Sequence, residues 1–254
     1  MGTFRSIVFS SVIAGFTVGL IVTVLQQFGT VPLILKAEVF EKAVEAHQGV
    51  HAAESPQETV ASGSHSDHEH AAEAWEPRDG LERNAYTAAA NVLTAIGFAL
   101  LLAGFFAVRS GTTGENVSWH EGLMWGLAGF LVFTIAPGLG LPPELPGVPA
   151  APLLSRQIWW GAAALATAAG LGLIVFRRSV PASIAGLILI GLPHLIGAPE
   201  LEHVDTNVPS SLSHQFVVAV TLTSLVFWSV LGGLTSIAFA YFDRESVKRH
   251  QLRA

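Results

Sequence analysis

Pro181-Ala-Ser-Ile-Ala-Gly-Leu-Ile-Leu-Ile-Gly-Leu-Pro-His-Leu-Ile196 is apolar throughout except for Ser183 and His194. It is shorter than the roughly 20 residues an α-helix needs to cross about 30 Å of hydrocarbon. Read as a span, it is one of six and leaves both termini on the same side of a membrane. Read as a buried helix, it leaves five spans and sends the C-terminus to the opposite side. The other five apolar stretches are longer: residues 7–25, 85–108, 122–141, 158–176 and 216–241. Backbone polar groups in lipid must pair within their own segment, so all six are expected to be helices.

Basic residues decide between the counts. With six spans and a cytoplasmic N-terminus, the inner segments hold Arg5, Arg109, Arg177, Arg178, Arg244, Lys248, Arg249 and Arg253, and the two short outer loops hold only Arg156. Lys36, Lys42, Arg78 and Arg83 fall in the long first loop, where the positive-inside rule has little force. Eight against one predicts six spans, both termini cytoplasmic, arranged as three outward-pointing hairpins in one transmembrane unit of residues 1–254. The first span has no small-x-small cleavage site just after it, so it is expected to stay as an anchor.

Composition excludes several functions. The chain is 51% hydrophobic and 13% charged, too apolar for an ordinary soluble domain. It has no Cys, hence no thiolate metal site, and its two Met residues, Met1 and Met124, cannot line a Cu(I) path. It has no phosphate-binding G-x-x-x-x-G-K-[ST] loop. No acid–base or nucleophilic constellation stands out, so the chain is not expected to be an enzyme.

Two of the hairpins resemble each other. Pro137-Gly-Leu-Gly-Leu-Pro-Pro-Glu144 and Pro193-His-Leu-Ile-Gly-Ala-Pro-Glu200 both read P-x-L-x-x-x-P-E. Ser155-Arg-Gln-Ile158 and Ser213-His-Gln-Phe216 open the spans that follow. The first hairpin offers a fainter echo in Pro32, Leu33 and Glu38. Transporters commonly hold their sites between such repeats, although Pro, Gly and Glu are also frequent at helix ends. The repeat would bring Glu144, Glu200, His194 and His214 to the outer membrane edge.

Between the first two spans lies His65-Ser-Asp-His-Glu-His70, in a segment (residues 48–74) whose Ser, Gly, Ala and Glu content predicts flexibility. His65, Asp67, His68, Glu69 and His70 are the nitrogen and oxygen donors that suit Co²⁺, Ni²⁺ and Zn²⁺. A flexible cluster captures ions weakly; a solvated acidic loop is the plainer alternative. His194, beside Pro193 near the end of a span, is a second ligand candidate, because an ionisable group at membrane depth is costly. Gln26 and Asn91 either line a vestibule or bond helix to helix. Arg156 is expected to pair with Glu144 or Glu82. Ser118 and Glu121 have the spacing of a helix capping box, and Gly15-x-x-x-Gly19 and Gly122-x-x-x-Gly126 that of close helix packing.

These pieces, in order, resemble the CbtA family of predicted cobalt transporter subunits. The matching motifs are Phe4-Arg-Ser, Gln26-Gln-Phe-Gly-Thr-Val-Pro-Leu-Ile-Leu-Lys-Ala-Glu38, the His-rich segment, Gly80-Leu-Glu-Arg-Asn-Ala-Tyr-Thr87, Ala136-Pro-Gly-Leu-Gly-Leu-Pro-Pro-Glu-Leu-Pro-Gly147, Arg156-Gln-Ile-Trp-Trp160 and Leu192-Pro-His-Leu-Ile-Gly-Ala-Pro199. The resemblance implies a bacterial inner-membrane protein that works with a small one-span CbtB-like partner in cobalt uptake linked to cobalamin synthesis. Metal identity follows from the resemblance alone; the residues do not separate Co²⁺ from Ni²⁺ or Zn²⁺.

The expectation is therefore an all-α membrane protein of six helices that imports a divalent cation, with no permanently bound cofactor. The outer His-rich segment would capture ions. A rim site drawn from Glu38, Glu144, His194 and Glu200 would dehydrate and select them. The alternative is a metal-binding accessory or sensor that presents ions to another transporter.

Overall fold

The computed structural model describes residues 2–53, 77–78, 80–115, 117–201 and 206–251, and every element among them is helical. The chain runs α1 (Gly2–Phe28), α2 (Val31–Ala53), α3 (Leu81–Thr113) and α4 (Trp119–Phe130). A π-helical turn (Leu131–Ile135) then leads into α5 (Ala136–Gly140), α6 (Leu153–Arg177), α7 (Val180–Ile196) and α8 (Ser210–Gln251).

Five stretches are long and apolar enough to cross a membrane: Gly2–Phe28, Leu81–Thr113, Trp119–Gly140, Leu153–Arg177 and Ser210–Glu245. Large apolar side chains on them point outward, as Leu93, Leu101 and Leu165 do, which in water would expose a costly surface and in lipid does not. The sixth expected span is α7. It begins one residue earlier than residue 181 and ends at Ile196, but its 17 residues rise only about 25 Å. It is an apolar helix at the expected place, shorter than the other five.

Small residues set the packing. A methyl group added to Gly15 or Gly19 would lie 2.5 Å from the Ile96 or Val92 backbone, so α1 and α3 meet nearly backbone to backbone. Gly122 and Gly126 do the same for α4 against Gly232 and Ser236 of α8. Both G-x-x-x-G pairs thus act as expected, letting helices approach where lipid provides no hydrophobic drive. In the third seam, Gly170 of α6 faces Gly186 of α7. α1 also packs on α8, whose Leu231 and Trp228 join Val18, Ala95, Ala99 and Phe130 in the central core.

At the end holding the α3–α4 turn, Ser118 accepts from the Glu121 amide and Glu121 reaches back to the Ser118 amide, forming the capping box. Arg109 of α3 binds the Glu121 carboxylate and ties the two helices together.

Two features depart from the sequence reading. Residues 31–53 form α2, so positions 48–53 of the segment expected to be flexible are helical. The rest of that segment lies outside the described residues. Ala37 of α2 is buried with Leu145, Val208, Leu212 and Phe216, which fixes α2 across the end of the bundle. The third span is also not one regular helix. Pro137 has no N–H to donate one turn back, and the ladder re-registers: the Ala136 amide bonds to Leu131 O, five residues away.

Candidate functional site

The two repeated ends share one main-chain bond, although the residue that caps each differs: Leu141 has φ −124° and Gly197 φ 91°. The Leu141 amide donates to Pro137 O at 2.8 Å, and the Gly197 amide donates to Pro193 O at 3.1 Å. These bonds are 56 residues apart at both donor and acceptor, the same offset as the motif. The next helices each open on a proline: the Arg156 amide bonds to Pro152 O and the Ser213 amide to Pro209 O. The seams follow the same exchange. If the third and fifth spans are equivalent, and the fourth and sixth, then α4 packing on α8 corresponds to α7 packing on α6. Both contacts are present.

The two ends also meet. Trp159 of α6 is buried and donates its indole N–H to Pro193 O at 3.2 Å. A methyl at Gly140 would clash with the Trp159 ring and stand 3.0 Å from Ala198 Cβ. His194 presents its ring edge-on to Trp159, with centroids 5.6 Å apart. The two ends thus meet at an indole, and of the residues that the repeat was expected to gather, His194 is the one whose contact with it is shown. The signal was available: Trp159 follows Ser155-Arg-Gln at the start of a span whose partner ends in Pro193.

The expected ligands are distributed as follows. Glu144 accepts from Arg156 at 2.7 Å, the pairing anticipated for that arginine, while Glu82 pairs with Arg78 at 2.9 Å. Glu38 of α2 accepts from Arg83 of α3 at 2.5 Å. That bond bridges the long first loop and lies apart from the Trp159 cluster. Glu200 is exposed and makes no ion pair among the described residues. His65, Asp67, His68, Glu69 and His70 lie outside the described residues. Among the described residues, no three His, Asp or Glu side chains stand together as a group that could hold a metal. Glu38, Glu144, His194 and Glu200 are therefore not gathered into one preformed site.

Beside the Glu144–Arg156 pair opens a cavity of about 650 Å³, walled by Pro137, Pro143, Gln157, Trp160 and Thr221. The bonds expected of Gln26 and Asn91 are present: Asn91 Nδ2 donates to Gln26 Oε1 at 2.7 Å and to Thr23 Oγ1 at 3.0 Å. Both residues also border a second cavity.

Residues 4–240 match the family model described as "Probable cobalt transporter subunit (CbtA)". No curated protein and no solved structure matches the chain.

Proposed function

The chain belongs to the CbtA family of probable cobalt transporter subunits, and from that premise we propose that it is the subunit through which Co²⁺ crosses a bacterial inner membrane. It is a multi-pass membrane protein, and as a transporter subunit it works with partner proteins. In our reading the principal partner is a small one-span CbtB-like subunit, and uptake serves cobalamin synthesis. Both termini are cytoplasmic, with α7 as a short sixth pass. The eight-to-one distribution of basic residues supports that orientation. Gly122 and Gly126 of α4 meet Ser236 and Trp228 of α8 in reverse order, and that antiparallel seam supports an even number of passes.

The observation that carries the mechanism is the meeting of the two repeated helix ends at Trp159. His65, Asp67, His68, Glu69 and His70 capture Co²⁺ from the outside, and the ion passes to the rim, where Glu200 and His194 receive it. Glu144 and Glu38 enter only when the ion displaces Arg156 and Arg83. Partly exposed pairs of this kind contribute about 0–1 kcal/mol, so a divalent cation competes with them readily.

Deleting residues 62–72 tests the division of labour. Labelled Co²⁺ uptake by liposomes should then need a higher external concentration for half-maximal rate, with maximal flux unchanged. Abolished flux would place the selective chemistry in the deleted segment. The second reading is a metal-binding accessory or sensor that presents ions to another transporter, favoured by the few ionisable residues within the spans. Retained Co²⁺ binding without uptake would select it.

A further inference from the structure

Between α1, α3, α8 and the π turn, with Trp160 of α6 at its edge, lies the second cavity, of about 320 Å³ and half open. Its polar wall comprises Gln26, Thr30, Asn91, Thr94, Thr134, Thr223 and Ser224, none of them charged. Asn91 is ten residues into α3, about 15 Å along the helix, well inside the span.

Five hydroxyls in this wall are unusual. A Ser or Thr in a membrane helix can satisfy its hydroxyl on a carbonyl one turn back. Thr23 does so on Gly19 O at 2.8 Å, and Thr221 on Val217 O at 2.7 Å. Among the described residues, no hydrogen bond engages the hydroxyls of Thr30, Thr94, Thr134, Thr223 or Ser224. The cavity is half open and these hydroxyls are not sealed in a dry interior, so water can enter and supply the missing bonds. The Asn91 amide nitrogen is already engaged by Gln26 and Thr23, which leaves its carbonyl oxygen as a further acceptor.

Neutral oxygens limit which occupant fits. Direct coordination of a Co²⁺-like ion favours imidazole or carboxylate, and this wall has neither. Its oxygens can instead accept hydrogen bonds from the waters of an intact shell. Six waters at about 30 Å³ each fill about 180 Å³, which the cavity accommodates. On one side the cavity is closed by aromatic rings. Phe98 lies 5.0 Å from Phe133 and 4.8 Å from Trp228, and Phe133 stacks on Trp228 at 5.4 Å. Phe227 completes the cluster, edge-on to Trp228 at 5.3 Å. This apolar barrier offers a hydrated ion almost nothing to bond.

We propose that this cavity is a holding site for a hydrated divalent cation, bound through its water shell by neutral side-chain oxygens and stopped by the Phe98–Phe133–Phe227–Trp228 cluster. The inference rests on the reading of the chain as a cation-transport subunit.

Its test uses the full chain in lipid nanodiscs, with the six tryptophans replaced by fluorotryptophan. Paramagnetic Co²⁺ broadens the fluorine resonances nearest to it. Trp160 and Trp228 border the cavity, whereas Trp75 neighbours the His-rich segment in sequence. The Trp160 and Trp228 lines should broaden together as Co²⁺ is added. Combining Thr134→Val with Thr223→Val keeps the side-chain shape and removes two acceptors. It should raise the Co²⁺ needed for that broadening at least fivefold while the resonances keep their dispersion. If that double variant does not fold, Ser224→Ala alone should give a smaller shift in the same direction. Broadening confined to Trp75, or at Trp160 and Trp228 but indifferent to the hydroxyls, overturns the proposal. Co²⁺ uptake by liposomes made from the same preparations separates the two readings. Cavity broadening without uptake rejects transport and keeps the site; uptake without cavity broadening rejects the site alone.

Discussion

The ends at Pro137 and Pro193 close on the same main-chain bond and differ in their electrostatics. Each proline carbonyl accepts the amide four residues on, and each motif closes with a proline and a glutamate. Beyond that the copies part. Glu144 is bound by Arg156, while Glu200 is exposed and makes no ion pair among the described residues. The difference traces to one position. Arg156 in Ser155-Arg-Gln corresponds to His214 in Ser213-His-Gln, and His214 is exposed. The two motifs end alike, and a single basic residue pairs one glutamate and leaves the other without an ion pair among the described residues.

The comparison fails most visibly if the seams are not equivalent. Gly186→Leu and Gly122→Leu each force a side chain into a backbone contact, α6–α7 in one case and α4–α8 in the other. Overpacking of this kind costs about 1–3 kcal/mol. Both variants should unfold at clearly lower temperature in detergent, by similar amounts. Gly138→Ala, with open space around its added methyl, should shift far less. A seam that tolerates leucine is not a packed seam, and the exchange of helix pairs would lose half its support.

Charge provides the next contrast. Glu200→Gln should raise the Co²⁺ concentration for half-maximal uptake several-fold, because it removes the open carboxylate. Glu144→Gln should do less, since Arg156 already neutralises that group. Arg156→Gln should move affinity the other way by freeing Glu144. Equal effects of the two glutamate variants would remove the asymmetry.

Trp159→Phe keeps a ring where the two ends meet but loses the bond to Pro193 O, worth about 0.5–1.5 kcal/mol. The loss should appear as faster amide exchange at the C-terminal turn of α7 and not at α5. Ser118→Ala lies away from both ends and should cost about 1 kcal/mol of stability through the lost cap, with uptake unaltered.

Much of this architecture is legible from span length and charge. The helices at 7–25, 85–108, 158–176 and 216–241 fall inside the observed ones because uninterrupted apolar runs in lipid have few other options. α2 was missed because Lys36, Glu38, Glu41 and Lys42 break its apolar pattern; Ala37 becomes core only once Leu145 and Val208 fold against it. The π turn was missed although Pro137 announced it, because a lost donor does not say where the ladder re-registers. Glu144–Arg156 was readable from its separation of 12 residues across a short loop. Glu38–Arg83 was not, because the long first loop intervenes between its partners. The His-rich segment lies outside the described residues, so its part in capture rests on donor chemistry alone.

Labelled Co²⁺ accumulation in sealed liposomes tests the central claim most directly, with the full chain and its one-span partner reconstituted together. The account predicts saturable accumulation that protein-free liposomes lack and that falls when Glu200 is replaced by Gln. Accumulation no greater than in protein-free liposomes, from a folded preparation that still binds Co²⁺, would contradict it.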